Sequence, residues 1–215
     1  HEQCARALLE AKANLEAVQN QGFTALMLSS KNGHEQCARA LLEAGADIDK
    51  GEEDNWTALM FACQNGHDHC TRALIENGAK VDATEEDGWT ALMFAAQNNH
   101  ELCARALLEN GAAVNSQNNE GVTALMKAAE KGHDQVCSSQ LDYADSCRQL
   151  LCAQFHTFSS HHLEQVARAL IEAKADLEKQ TAMGSNALIF AWQNGHEQVA
   201  RALPEDRAPG GARDK

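Results

Sequence analysis

A regular internal repeat is the feature that most constrains what this chain can fold into. The block 54–86 reads DNWTALMFACQNGHDHCTRALIENGAKVDATEE, and the block 87–119 reads DGWTALMFAAQNNHELCARALLENGAAVNSQNN, so the period is 33. A fixed period of this length is typical of a solenoid, in which each unit packs only against its neighbours. The sequence therefore predicts a stack of repeated units rather than one closed globular core. The positions that recur at this spacing include Thr24, Thr57, Thr90, Thr123, His34, His67, His100 and His133.

Each unit predicts two short helices followed by a loop. Thr24 is a predicted N-cap for a helix over 25–32, because a side-chain hydroxyl can accept from a free amide at a helix start. Gly33 can take the left-handed conformation that ends this helix, and a second helix is predicted over 35–44. Small residues on the first helices are predicted to let neighbouring helices pack closely. They are Ala62, Cys63, Ala95, Ala96, Ala128 and Ala129.

Several positions of the third full block together match the pattern of a known family. The runs Gly88-Trp-Thr-Ala-Leu-Met, Ala95-Ala96, Asn99-His100 and Leu107-Leu108-Glu-Asn-Gly111 resemble an ankyrin repeat. The family pattern has Pro after the Thr and His after the Leu, where this chain has Ala and Met. The resemblance implies an all-α solenoid of stacked helix-turn-helix units with short β-hairpin-like loops. It also implies non-catalytic protein–protein binding through a concave groove, without a cofactor.

The repeat frame predicts an ankyrin repeat domain over 1–204 and a disordered tail over 205–215. The frame breaks after Val136 and returns at Glu164, which matches Glu35 of the first full unit. We interpret the distance between these two glutamates as four periods less three. A genuine irregular repeat and a mis-spliced gene both fit the segment 138–162. The predicted units are a half repeat at 1–20, full repeats at 21–53, 54–86 and 87–119, degenerate repeats at 120–149 and 150–182, and a truncated terminal repeat at 183–204.

Trp192 stands where the other units have Ala or Cys. Inside a stack a side chain of this size would overpack the core. In the last unit it is instead predicted to spread over the open end as a cap.

Charge and cysteine spacing limit the classes of partner and location. The formal charge is −13, from 31 acidic and 18 basic residues, so a nucleic acid partner is not expected. No apolar run approaches the roughly 20 residues of a membrane span, so no membrane partner is expected either.

Four cysteines recur once per period, about 10 Å apart in a helix stack, which is too far for a disulfide. We predict reduced, buried thiols in an intracellular, cytoplasmic monomer. These cysteines are Cys4, Cys37, Cys70 and Cys103.

Metal binding and catalysis find little support in the sequence. The histidines recur one per unit, whereas a zinc site needs three or four donors around one point. His67, His69 and Cys70 form a tighter group, and the segment 133–162 holds further His and Cys residues. We interpret both groups as fortuitous and predict no metal, cofactor or enzyme activity, since no nucleophile with a base stands apart from the repeat.

The positions that vary while the frame repeats predict the binding site. They describe an aromatic ladder fringed with carboxylates, which suits a partner with a basic, extended or helical segment. An alternative stays open, in which the Trp and Phe rings only pack the hairpins on the helices. A second alternative is a targeting or substrate-recruiting segment of a larger enzyme or channel. The predicted partner-binding residues are Phe23, Asp54, Trp56, Phe61, Gln64, Asn65, Asp87, Trp89, Phe94, Gln97 and Asn98.

Overall fold

The computed structural model describes residues 11, 13–131, 166–167 and 169–196 of the chain. In these ranges it contains no β-strand, only an isolated antiparallel bridge between Thr84 and Thr90. The predicted all-α fold is confirmed, and none of the described helices is long and apolar enough to cross a membrane. The helices are α1 (Ala25–Lys31), α2 (Glu35–Glu43), α3 (Ala58–Gln64), α4 (Asp68–Glu76), α5 (Ala91–Gln97), α6 (Glu101–Glu109), α7 (Ala124–Glu130), α8 (described residues 166–167 and 169–172) and α9 (Ala187–Gln193).

The helices stack in two rows. The first helices of successive units, α1, α3, α5, α7 and α9, pack against one another in that order, and α2, α4 and α6 form the second row. The small residues predicted between the rows are fully buried, as at Ala62, Cys63 and Ala96, each with 0% exposure. Each unit thus buries its apolar face only with its neighbours, which is how a solenoid builds a continuous core.

Threonine hydroxyls begin the first helices, as predicted for Thr24. Its Oγ1 accepts a hydrogen bond from the Met27 amide at 3.3 Å, and Thr57 Oγ1 does the same for the Met60 amide at 3.4 Å. At the other end of α1, Gly33 has a φ of 71°, the left-handed conformation that terminates a helix.

The histidine that begins each second helix connects two units. His67 Nε2 lies 3.1 Å from the Lys31 carbonyl oxygen, and His100 Nε2 lies 3.1 Å from that of Gln64. Because a carbonyl oxygen only accepts, the ring nitrogen donates in both bonds. A Cβ added at Gly33 would lie 2.6 Å from the His67 ring. The glycine therefore serves both the turn and the close approach of the next histidine.

The loops between units are hairpin-like, as predicted. The Glu85 amide donates to the Trp89 carbonyl oxygen at 3.2 Å, and Glu85 Oε1 accepts from the Trp89 amide at 2.8 Å. Successive loops are joined as well, since the Glu86 amide donates to the Asp54 carbonyl oxygen at 3.1 Å and the Asn119 amide to that of Asp87 at 2.9 Å. These bonds fix each loop tip beside the next one.

Beyond α7 the same contacts recur at longer sequence separations. His196 Nε2 lies 3.2 Å from the Glu130 carbonyl oxygen, 66 residues away, whereas the equivalent bonds of His67 and His100 span 36 residues. The Asp176 amide donates to Asn115 Oδ1 across 61 residues, whereas the equivalent bonds in earlier units span 31. In both cases the sequence separation between the bonded residues is thirty residues longer than in the earlier units.

Helix α8 supplies the second helix of this longer layer. Ala169 and Glu172 of α8 line a shallow cleft together with Arg105 and Leu108 of α6, so α8 lies next in the second row. The described parts of 120–182 therefore form one layer of the stack. The predicted boundary between 120–149 and 150–182 lies outside the described residues and stays a prediction.

The predictions for the cysteines and for Trp192 can be followed only in the described residues. Cys37, Cys70 and Cys103 are free thiols, but Cys37 is only half-buried, contrary to the prediction, because no described helix packs on the outer side of α2. Trp192 on α9 is 65% exposed, on the face that is covered in earlier units, and its role as a cap stays a prediction. Outside the described residues lie Cys4, most of the half repeat 1–20, the His- and Cys-containing part of 133–162, and the tail 205–215.

Candidate partner-binding surface

Five aromatic rings from three successive units lie in contact in one row, which we call the aromatic ladder. The ring centroids lie 5.3 Å apart for Phe23 and Phe61, 5.1 Å for Phe61 and Trp56, 4.4 Å for Trp56 and Phe94, and 5.1 Å for Phe94 and Trp89. Rings from the loops thus alternate with rings from the first helices. Aromatic pairs at these distances contribute roughly 0.5–1.5 kcal/mol each beyond their burial.

The two phenylalanines that the helices contribute to the ladder are almost fully enclosed. Phe61 and Phe94 are each 5% exposed, so each offers a partner only a small part of its ring, and their predicted contact with a partner stays a prediction. Each is enclosed because it fills the space between two loop rings. Trp56, Trp89 and Phe23 are half-buried and keep an edge exposed. The packing of hairpin on helix therefore exists, and it holds the tryptophans in fixed positions.

Lysine side chains lie at both ends of the ladder. Lys31 Nζ is 5.1 Å from the ring centroid of Phe23 and 5.3 Å from that of Phe61. Lys127 occupies the place that Phe94 has in the unit before, and its Nζ is 5.0 Å from the Trp89 centroid. Neither lysine is among the predicted site residues. The signal was present in the sequence, as a Lys where the neighbouring units have Gln or Phe.

The predicted amides at the ends of the first helices have a structural task. Asn65 Nδ2 donates to the Phe61 carbonyl oxygen at 2.8 Å, and Asn98 Nδ2 donates to that of Phe94 at 3.0 Å. Both side chains are exposed, so their Oδ1 atoms can still accept from a partner. Gln64 and Gln97 precede them and are half-buried.

Carboxylates surround the loop tips, as predicted. Asp54 and Asp87 are exposed, each two residues before a ladder tryptophan, and Glu53 and Glu86 are exposed beside them. Glu85 differs, because it is 8% exposed and its carboxylate is used by the Trp89 amide. The exposed acids add negative potential next to the exposed ring edges.

The buried thiols offer no nucleophile. Burial raises the pKa of the Cys63 thiol well above its ordinary value, and the hydrogen bond to Cys103 adds to this rise. Burial likewise raises the pKa of Cys70 to about 11. The hydrogen bond from Cys63 lowers the pKa of Cys103, but this side chain is also buried and out of reach of a substrate. Thiols without access or a paired base do not catalyse.

No metal-binding group is present in the part of the chain that the structure describes, where His, Cys, Asp and Glu side chains nowhere converge in threes. His67 binds the Lys31 carbonyl oxygen, Cys70 is buried, and His69 is exposed on the surface. The three side chains that looked closest in the sequence therefore face different surroundings.

Comparison with known proteins agrees with this architecture. The family described as ankyrin repeats, in three copies, matches residues 1–52 and 48–118, which is more than half of the 215 residues. No curated protein matches the chain. The chain belongs to the ankyrin-repeat family, whose repeats are generally non-catalytic modules of protein–protein interaction.

Proposed function

We propose that this protein binds a basic, extended or helical segment of another protein through the aromatic ladder and the carboxylates beside it. The observation that carries the proposal is the position of Trp56 and Trp89. Each is half-buried, packs against a buried phenylalanine ring, and stands two residues after an exposed aspartate of its own loop. Tryptophan is a frequent hot-spot residue, and guanidinium or ammonium groups bind its face.

Rigidity supports this surface as a binding site. An interface pays for each side chain that it must immobilise, roughly 0.5–1.5 kcal/mol per flexible side chain. Trp56 is held on both sides, with Phe61 at 5.1 Å and Phe94 at 4.4 Å, so little ordering remains for the bound state. The charge of −13 further attracts a basic segment and speeds its encounter at low salt.

Location, oligomeric state and context form part of the proposal. We place the protein in the cytoplasm as a monomer, where thiols such as the four free cysteines of the described region stay reduced. We propose a binding scaffold; the alternative, a targeting or substrate-recruiting segment of a larger enzyme or channel, would use the same surface.

The test replaces the indoles while keeping apolar packing on the phenylalanines. Trp56→Leu/Trp89→Leu is compared with wild type for binding of three labelled peptides of equal length, one basic, one neutral and one acidic, by fluorescence anisotropy. We expect preference for the basic peptide, weaker binding at higher salt, and a loss of at least roughly tenfold in the double variant.

Trp192→Leu is the matched control, because Trp192 is exposed on α9 outside the ladder. It should bind like wild type. Circular dichroism must show that all variants are folded. Equal binding of the three peptides, or undiminished binding by the folded double variant, would contradict the proposal.

A further inference from the structure

The ladder consists of three successive steps, and the chain itself places a cation at two of them. The first step is formed by Phe23 of one loop and Phe61 of the next first helix, and Lys31 Nζ lies over both rings. The last step is formed by Trp89 and Lys127, whose Nζ lies over the indole. The two lysines reach the rings from different places, since Lys31 is exposed whereas Lys127 is largely buried at the position of Phe94 and paired with Glu130. Both contacts show that rings of the ladder accept an ammonium group.

The middle step has the same kind of ring pair but a neutral neighbour. It is formed by Trp56 and Phe94, whose centroids are 4.4 Å apart. One repeat period after Lys31 stands Gln64, which carries no charge. Among the described residues, cations lie over the ladder only at its two ends.

We infer that the middle step, formed by Trp56, Phe94 and Gln64, is the slot for one lysine or arginine side chain of the partner. The inference rests on the proposed function and assigns it a position. An indole binds a cation more strongly than a phenyl ring, so Trp56 makes the middle step a better site than the first step, which Lys31 already fills.

The loop tips supply the counter-charge. The Glu86 amide donates to the Asp54 carbonyl oxygen at 3.1 Å, which places the loop of Trp56 against the loop of the next unit. Asp54 and Asp87 are therefore on adjacent, joined tips, and both are exposed. An arginine suits this arrangement best, because its planar group can stack on an indole while its edge pairs with a carboxylate.

The two lysines beside the middle step differ in their surroundings. Lys31 carries positive charge on one side of that step, whereas Lys127 on the other side is paired with Glu130, its Nζ 2.8 Å from Glu130 Oε2. Steps of a helix stack are about 10 Å apart, which is about three residues of an extended chain. A second basic residue three positions away, towards the first step, would meet the Lys31 ammonium group. The slot therefore takes one basic residue of the partner segment, and the other basic residues of that segment are expected at the loop-tip carboxylates.

The three tryptophans of the chain make the experiment direct. The protein is labelled with ¹⁵N, and the indole N–H signals of Trp56, Trp89 and Trp192 are followed while a neutral peptide with one central arginine is added. We expect the Trp56 signal to shift and to saturate, while the Trp192 signal stays unchanged.

Gln64→Lys tests the slot by copying the lysine of the first step into the middle step. Its ammonium group should occupy the middle step as Lys31 occupies the first, so the Trp56 signal should move without peptide and its response to peptide should fall at least roughly tenfold. Gln97→Lys is the matched control, since Gln97 stands at the same place one unit further along, and it should leave the Trp56 response intact.

The outcomes separate the two proposals. If Gln64→Lys binds the peptide like wild type, or if the peptide shifts Trp89 and Trp56 equally, the slot is wrong. The proposed function then still stands provided that Trp56→Leu/Trp89→Leu loses basic-peptide binding. If neither indole responds and the double variant changes nothing, both proposals fail.

Discussion

The layer that contains residues 120–131 and 166–182 makes the same contacts as the layers 54–86 and 87–119, but it does so with more chain. In the regular layers a histidine reaches back 36 residues to a helix-end carbonyl, and in the longer layer it reaches back 66. Each layer of a solenoid needs only its neighbours. Extra chain between two helices costs little, because the entropy of closing a loop rises by only about 0.6 kcal/mol per doubling of its length.

The largest expected effect is the difference in stability between two deletion variants of the longer layer. Deleting residues 134–163 joins His133 to Glu164 and gives Asn186 the same spacing from Thr123 that Thr123 has from Thr90. We expect this variant to stay folded and at least as stable as wild type. Deleting 150–182 removes α8, with the buried Val166 and Leu170, and should cost more than about 3 kcal/mol of the free energy of unfolding.

Urea unfolding followed by circular dichroism measures both variants. The predicted division into degenerate repeats at 120–149 and 150–182 gives the reverse order, because deleting 150–182 would then remove one whole unit. A stable second variant and an unfolded first one would establish that division.

The regular layers were predictable from the sequence, whereas the longer layer was not. The spacing of Thr, Gly and His predicted the helices and the stack, because each is tied to a local conformation. The distance from Glu35 to Glu164 fits four periods less three as well as three periods plus thirty. Only contacts between layers distinguish these two interpretations. The bonds from His196 to Glu130 and from Asp176 to Asn115 favour three periods plus thirty. A signal was nonetheless present, since the sequence Asp134-Gln-Val136 is repeated with one conservative change as Glu164-Gln-Val166.

The candidate site was predictable in outline for the same reason. The repeat spacing brought Phe23, Trp56 and Trp89 into one row, as the ladder has them. The sequence could not tell that Phe61 and Phe94 are enclosed, because this depends on the offset between one unit's loop and the next unit's helix. Lys31 and Lys127 stood out in the sequence as departures from the repeat, but the sequence alone could not place their ammonium groups over the rings.

A smaller effect distinguishes a covered layer from the last described one. Gly66 and Gly195 occupy the same place, with φ of 74° and 75°. A Cβ at Gly66 would lie 2.5 Å from the His100 ring, whereas one at Gly195 would meet nothing within 4 Å. The left-handed conformation alone costs an alanine about 1–2 kcal/mol. Gly66→Ala should lose about 1 kcal/mol more, because His100 must leave its hydrogen bond.

Thermal and urea unfolding of Gly66→Ala and Gly195→Ala give the difference directly, since both substitutions carry the same backbone strain. Equal losses would mean that the histidine contact between layers adds nothing to stability.

The smallest effect concerns the protonation of that same histidine. Burial lowers the pKa of His100 below its ordinary 6.5, the charge of His67 lowers it further, and the bond to the Gln64 carbonyl oxygen opposes the change. The folded protein then binds this proton less readily than the unfolded chain does. His100 therefore contributes its full stabilisation above pH 6.5, and the free energy of unfolding falls as the pH drops below that value.

Urea midpoints of wild type and His100→Asn between pH 7.5 and 5 measure this contribution. The variant should be less stable at pH 7.5, where the imidazole is neutral and bonded, and the gap should narrow towards pH 5. A gap that stays constant over this range would show that His100 titrates alike in the folded and unfolded chains, and that the layer contact is insensitive to its charge.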